Sequence, residues 1–219
     1  DILSRIDVAK QEAVRFVQKR TNDSLGLIVF AKEAVTRCLL TLDHALLRDI
    51  IYELEIGLID PDRTMLAKGM IAGINRLKNA TSKSKVMILL TDGEPSEEDM
   101  SMDQAIQVAK AFDIKIYTIG IGSEEERMMM HPFFGQMKAP KVNKELLTQI
   151  AQQTGGRYFH VQSAHDMRLI YDIIDQLERS EKEQVQFKHY YELLVPFGLA
   201  ALIALGAEII FSTFVWFAL

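Results

Sequence analysis

The sequence contains a single cysteine, so no disulfide can form within the chain. That cysteine, Cys38, lies in a run of mainly apolar residues at 36–40 and is expected to pack as a small buried hydrophobic residue. Lysine and arginine form no block, and the formal net charge is −5, so a nucleic-acid-binding protein is not expected. The first residues also lack the apolar stretch that a signal peptide requires.

The chain lacks the glycine-rich loops that bind phosphate groups. Neither G-x-x-x-x-G-K-[ST] nor G-x-G-x-x-G occurs, and the acidic residues that follow Gly120-Ile121-Gly122 would repel a phosphate. The histidines have no metal-ligand spacing such as H-x-x-x-H, no Ser-His-Asp arrangement can be argued, and surface or structural roles are expected for them. They are His44, His131, His160, His165 and His189. These absences argue against an enzyme.

Helix and strand patterns alternate through residues 1–177. The apolar runs at 25–30, 85–91 and 115–121 predict buried strands, of which 85–91 is the clearest, and residues 34–42 predict an edge strand. The helices between the strands have predicted N-terminal caps, which are Asp43, Thr64, Asn143 and Ser163. The pattern predicts an α/β fold of the Rossmann-like, doubly wound type, with a mostly parallel sheet and helices on both faces.

Residues 122–142 are predicted to be a long irregular insert in this α/β pattern. The insert contains Met128-Met129-Met130 and Phe133-Phe134. These side chains are interpreted either as an exposed patch for a partner or as a segment that folds back over the core, and the sequence leaves both open.

The C-terminal stretch, residues 193–219, contains Glu208 as its only ionisable residue. About 20 apolar residues cross a bilayer, and this stretch is longer. Trp216 and the Tyr190-Tyr191 pair lie where interfacial anchors are common. The sequence therefore predicts a transmembrane helix at 193–219, joined to the α/β domain by a charged helical connector at 178–192. Glu208 is placed near the far interface, and the alternative is a paired carboxylate inside the membrane.

Two oxygen-bearing residues stand at predicted element ends. Asp92 follows the strand at 85–91, and Thr64 opens a helix after an acidic loop. Ligands of open α/β sheets bind beyond the carboxyl ends of the strands, and hydroxyl and carboxylate oxygens suit Mg²⁺. Both residues are also ordinary cap and turn residues, so the pattern alone leaves a metal site and a structural role open.

The run KSKVMILLTDGE at 83–94 resembles the signature strand and turn of von Willebrand factor A (VWA) domains. Four other segments resemble the family in the family's order, at 23–31, 62–64, 116–122 and 150–156. The resemblance covers roughly residues 5–177. Within the family, the chain is most similar to the bacterial aerotolerance-operon (Bat-type) membrane proteins, which also end in a transmembrane helix.

The resemblance implies a metal-ion-dependent adhesion site in which Thr64 and Asp92 bind Mg²⁺ or another divalent cation. An Asp or Glu of a partner protein would complete the metal shell, so the implied function is docking rather than catalysis. The implied partners are a MoxR-type AAA+ ATPase, related VWA membrane proteins and membrane lipid. The implied location is the bacterial inner membrane, with the domain on the periplasmic side.

The sequence departs from the family pattern at the first metal motif, Asp-x-Ser-x-Ser, which is absent. Asp1-Ile2-Leu3-Ser4 is not that motif, and the family's first strand, which lies in the middle of the sheet, is missing. Unpaired buried backbone groups each cost on the order of 1–3 kcal/mol. We therefore expect the natural protein to extend upstream of Asp1, or this chain to be one piece of a larger protein. Arg63, where the family usually has Gly, also weakens the expected coordination.

Two alternatives belong to other functional classes. One is a receiver-like domain with Asp92 as the phospho-acceptor, and the other is a nucleotide-binding α/β domain. A receiver requires an acidic cluster after its first strand and a lysine after a later one, and the turn Thr91-Asp92-Gly93-Glu94 fits that pattern poorly.

Overall fold

The computed structural model describes residues 5–55, 64–82, 84–91, 102–122, 128–131, 135–138, 142–163, 165–178 and 197–198. The chain divides into two units, Asp1–Ile174 and Asp175–Leu219. The predicted connector and transmembrane helix lie outside the described residues, except for residues 178, 197 and 198, which are helical. Within the described ranges, no helix has the length and apolar character needed to cross a bilayer.

Helices and strands alternate along the first unit, as the sequence predicts. In chain order they are α1 (Arg5–Lys19), β1 (Leu25–Phe30), β2 (Ala34–Thr41), α2 (His44–Tyr52), α3 (Leu66–Leu77), β3 (Lys85–Thr91), α4 (Met102–Ala111), β4 (Ile114–Ile121), β5 (Met128–His131), β6 (Gly135–Lys138), α5 (Lys144–Gln153) and β7 (Tyr158–Val161). A further helix, α6, covers residues 165–178.

The strands of the predicted parallel sheet form the order β3-β4-β7. β3 and β4 pair in parallel from Lys85 opposite Ile114 to Thr91 opposite Gly120. β7 pairs in parallel with the second half of β4. β1 and β2 form a separate antiparallel ribbon of two strands, so both are edge strands among the described residues. The prediction of a buried strand at 25–30 is therefore wrong, because β1 is at most half-buried. The parallel α/β architecture is therefore confirmed, with a break between β1 and β3.

This break changes which strand is most buried. The sequence predicts β3 as the clearest buried strand, yet most of its apolar residues are only half-buried and just Leu89 and Thr91 are buried. β4 is buried along most of its length. The reason is that β4 has a strand on each side, whereas β3 has a strand neighbour on one side only within the described residues.

Two apolar clusters hold the helices against the strands. The larger cluster packs α3, α4 and α5 against one face of β3 and β4, and its fully buried members include Leu66, Met70, Ile106 and Leu147. The second packs α1 and α2 against the ribbon, with Val14, Val17, Cys38, Leu47 and Ile51. The expectation for Cys38 is confirmed, and burial raises the pKa of its thiol, with a smaller contribution from Asp43.

Polar contacts join α6 to α1. Arg168 donates two hydrogen bonds to a carboxylate oxygen of the buried Glu12, at 3.2 and 3.1 Å. The Lys19 ammonium donates a hydrogen bond to the Asp172 carboxylate and thereby lowers the pKa of that group. These two charged pairs hold one face of α6 against α1.

Three of the four predicted helix caps are confirmed by their hydrogen bonds. The side chains of Asp43 and Asn143 accept from the amides of the third following residues, at 2.9 and 3.0 Å. Ser163 accepts from the Asp166 amide at 3.2 Å, and Asp166 accepts from the Ser163 amide at 2.9 Å, which is a reciprocal capping pair. The fourth prediction, Thr64, is wrong and is described with the site below.

The insert between β4 and α5 contains an antiparallel hairpin, so the prediction of an irregular insert at 122–142 is wrong for this part. β5 and β6 pair from Met128 opposite Lys138 to His131 opposite Gly135. Strands of four residues are too short to show a period in the sequence. The side chains of the hairpin and residues 132–134 lie outside the described part, so the two interpretations of the methionine and phenylalanine residues stay untested.

Candidate functional site

Helix α3 lies across both the ribbon and the parallel sheet. A Cβ added to Gly69 would lie 2.7 Å from the ring of Phe30, at the end of β1. A Cβ added to Gly73 would lie 2.6 Å from the terminal methyl carbon of Met87 in β3. At the far end of the helix, Lys85 Nζ donates to the Lys78 carbonyl at 3.0 Å. α3 therefore runs antiparallel to β1 and β3, and it begins at the edge where both strands end.

Thr64 lies at this edge, immediately before α3. The N-terminal cap of the helix is Met65, which makes no side-chain capping bond, so the predicted role of Thr64 as a cap is wrong. The physical reason is a long-range backbone bond, because the Met65 amide donates to the carbonyl of Ala31 at 2.8 Å. Among the described residues, no hydrogen bond occupies the half-buried Thr64 hydroxyl. A hydroxyl oxygen is a ligand type that suits Mg²⁺.

The turn between β1 and β2 is attached to the first turn of α3. The Ala31 amide donates to the Glu33 carbonyl at 2.9 Å and closes the turn. Lys68 Nζ donates to Glu33 Oε1 at 2.7 Å and to the Lys32 carbonyl at 3.1 Å. We call these two contacts of Lys68 the rim clip. Lys68 and Glu33 are not recognisable from the sequence, because no local pattern marks two exposed residues that are far apart in the chain.

The second predicted ligand, Asp92, lies outside the described residues. It directly follows Thr91, the buried last residue of β3. Thr64 and the end of β3 share one edge of the sheet, but the relation between the two ligand oxygens stays a prediction. Within the part that the structure describes, no three His, Cys, Asp or Glu side chains gather into a metal-binding cluster.

A half-buried hydroxyl at the edge where β3 ends fits a cation that prefers oxygen ligands, such as Mg²⁺. Two histidines described in the structure have structural contacts instead. His44 Nε2 lies 2.9 Å from the Asp23 carbonyl, and His160 Nε2 lies 2.7 Å from the Gly122 carbonyl. The structural role expected for these two side chains is therefore confirmed.

Comparison with known families gives a match over most of the chain. The family model of the von Willebrand factor type A domain matches residues 3–176. Among curated proteins, an uncharacterized protein of Borreliella burgdorferi is 28% identical over 200 residues, which cover 86% of this chain and 58% of the relative. A second curated relative is covered to 56%. The chain thus spans less than two thirds of the length of the curated relatives that it matches.

Solved structures with the same fold include two from Bacteroides. BatB from Bacteroides thetaiotaomicron has a TM-score of 0.66 and 22% identity, covering 81% of this chain and 90% of that one. An aerotolerance-related membrane protein from Bacteroides fragilis has a TM-score of 0.65 and 20% identity, with coverages of 80% and 89%. Proximal thread matrix protein 1 of the mussel byssus, with a zinc-occupied metal-ion-dependent adhesion site, has a TM-score of 0.60 and 17% identity, with coverages of 77% and 41%.

Proposed function

Because the chain belongs to the von Willebrand factor type A domain family, we propose that it docks a partner protein through a divalent cation held by Thr64 and Asp92. The observation that carries the proposal is the position of the half-buried Thr64 hydroxyl at the edge where β3 ends. Related support comes from the mussel byssus protein, whose metal-ion-dependent adhesion site holds zinc. We propose Mg²⁺ as the cation, and docking rather than catalysis as the activity.

The two residues have different tasks in this proposal. The neutral Thr64 hydroxyl offers an oxygen lone pair, and the Asp92 carboxylate supplies negative charge directly after a buried strand end. When bound, the cation supplies an open coordination position for an Asp or Glu of the partner. No proton transfer and no covalent change are required, which is why the residues favour a docking module.

The remaining ligands are proposed to come from an additional strand between β1 and β3. Both strands pack on α3 but are not hydrogen-bonded to each other. An extended segment that ends in Asp-x-Ser-x-Ser would pair with both strands and bring its oxygens to the edge where Thr64 lies. Since this motif does not occur in the 219 residues, we propose that another part of the natural protein supplies it.

The membrane and partner assignments are proposals that rest on sequence. The 27 residues at 193–219, with Glu208 as their one ionisable side chain, support a membrane anchor. The Bat-type resemblance of the sequence suggests a MoxR-type AAA+ ATPase as the first partner to test and the periplasmic side of a bacterial inner membrane as the location. The membrane protein from Bacteroides fragilis shares the fold.

The experiment that tests the proposed site is a measurement of Mn²⁺ affinity by calorimetry on the full-length natural protein. We expect Asp92→Ala to abolish binding, because it removes the charged ligand. Thr64→Val keeps the shape of the side chain and removes its oxygen, and we expect it to weaken binding by about tenfold or more, at least the effect of losing an outer contact of a metal site. Circular dichroism should show an unchanged fold for both variants.

The matched control is Asp103→Ala, which removes an exposed carboxylate from α4, and its affinity should equal that of the wild type. Wild-type protein that binds no Mn²⁺, or Thr64→Val and Asp92→Ala variants that bind it as tightly as the wild type, would contradict the proposed site.

A further inference from the structure

We propose that Lys68 and Glu33 are positioning residues for Thr64, and that the rim clip sets the place of the Thr64 oxygen at the metal edge. The inference rests on the proposed function, because it concerns the same ligand. It adds two residues that do not themselves touch the cation, and it assigns the turn between β1 and β2 a role in the site.

The position of Thr64 depends on contacts made by the residues that follow it. Thr64 precedes Met65, the N-terminal cap residue of α3, whose own side chain makes no capping bond. The first fully buried anchor of α3 is Leu66, two residues later. Between them, the Met65 amide is bonded to the Ala31 carbonyl, and this carbonyl belongs to the turn that the rim clip attaches to the helix. Holding the turn against the helix therefore holds the backbone beside Thr64.

The rim clip is exposed, so its effect on global stability is expected to be small. The Lys68 and Glu33 side chains are 43% and 67% exposed, and exposed ion pairs contribute little to folding. The metal affinity is expected to change more than the stability, because loss of an outer contact of a metal site lowers affinity by about 10–100-fold. For an exposed contact we expect a smaller loss of affinity than this range, about threefold to tenfold.

The test compares Lys68→Met with Arg76→Met in the full-length protein. Arg76 is a matched control on the same helix, because its Nε donates to Thr36 Oγ1 of β2 at 3.2 Å. It lies about two turns beyond Lys68 and about three turns from Thr64. We expect Lys68→Met to weaken Mn²⁺ binding by about threefold to tenfold. We expect Arg76→Met to leave the affinity unchanged. Both variants should unfold at nearly the wild-type temperature.

A second measurement does not depend on the metal. In the metal-free protein, the Met65 amide should exchange with solvent faster in Lys68→Met than in the wild type, because the Ala31 acceptor is less firmly held. Arg76→Met should not change the exchange at Met65. The double variant Glu33→Lys, Lys68→Glu restores an ion pair of reversed orientation and should recover part of the lost affinity.

The outcomes separate the two proposals. If the wild type binds no Mn²⁺, the proposed function fails, and exchange at the Met65 amide alone decides whether the clip holds this segment. If the wild type binds and Lys68→Met binds equally well with unchanged Met65 exchange, the positioning role is wrong. Equal losses in Lys68→Met and Arg76→Met would also overturn it, because they would indicate a general weakening of the contact between α3 and the ribbon.

Discussion

At the scale of single residues, the end of α5 depends on two neighbouring glycines with different requirements. Gly155 has a φ of +79° and lies in the left-handed region. The Gly156 amide donates to the Ala151 carbonyl, and the Gly155 amide donates to the Gln152 carbonyl, so the pair forms a Schellman motif. A Cβ on Gly156 would lie 1.9 Å from the Ile116 carbonyl oxygen, whereas one on Gly155 would meet nothing within 4 Å.

We expect Gly156→Ala to be more destabilising than Gly155→Ala. The first substitution forces a methyl group into the backbone of β4, and we expect a loss of about 2–4 kcal/mol in the free energy of unfolding. The second strains only its own φ angle, which costs about 1–2 kcal/mol. Urea unfolding of both variants measures the difference. Equal losses would show that the approach of Gly156 to Ile116 does not limit the packing of α5.

At the scale of elements, β1 and β3 each have one side that no strand pairs with among the described residues. In a parallel sheet, successive amides of a strand point to opposite neighbours. The pairing of β3 with β4 therefore uses every second amide of β3, and the others face the break. Since backbone groups in a buried position require partners, a strand in the break would satisfy both edges at once.

Hydrogen exchange in the full-length natural protein tests for this strand. We expect all amides of β3 from Val86 to Leu90 to exchange slowly, as those of β4 do, because a strand on each side protects them. β2 provides the internal control, because it pairs with β1 alone among the described residues. Every second amide of β2 points away from β1, and these amides should exchange fast. An alternation of fast and slow amides along β3 would show that the break stays open.

At the scale of the whole molecule, the proposed anchor determines where the domain can meet a partner. Residues 193–219 are separated from the α/β domain by a densely charged stretch at 178–192. If 193–219 spans the bilayer, docking takes place close to a membrane surface, which restricts partners to that surface.

The anchor is tested by alkaline carbonate extraction of membranes that contain the full chain. We expect the wild type to stay in the membrane pellet. Leu202→Lys with Leu205→Lys should release it, because each lysine at the centre of a span costs about 2.5–3.5 kcal/mol. The matched control adds the same charges to the connector, as Gln184→Lys with Gln186→Lys, and should stay in the pellet. Extraction of the wild type would contradict the anchor.

The sequence predicted those features that depend on neighbours along the chain. Asn143 caps α5 through a bond to a residue three positions later, and such spacing can be read directly. Thr64 was wrongly predicted as a cap, because the start of α3 depends on the distant Ala31 carbonyl. The rim clip escaped prediction for the same reason, since its residues are 35 positions apart. Long-range contacts of this kind have no signal in one sequence.

The two glycines of α3 have a consequence for the divided sheet. Where Gly69 and Gly73 lack side chains, Phe30 from the ribbon and Met87 from the parallel sheet pack against the bare helix backbone. Both contacts are made with the same helix. A change in the distance of the ribbon or of the parallel sheet from α3 would therefore disturb the close packing at Gly69 or at Gly73. The two glycines thus couple the ribbon and the parallel sheet through α3, although the strands of the two sheets share no hydrogen bonds.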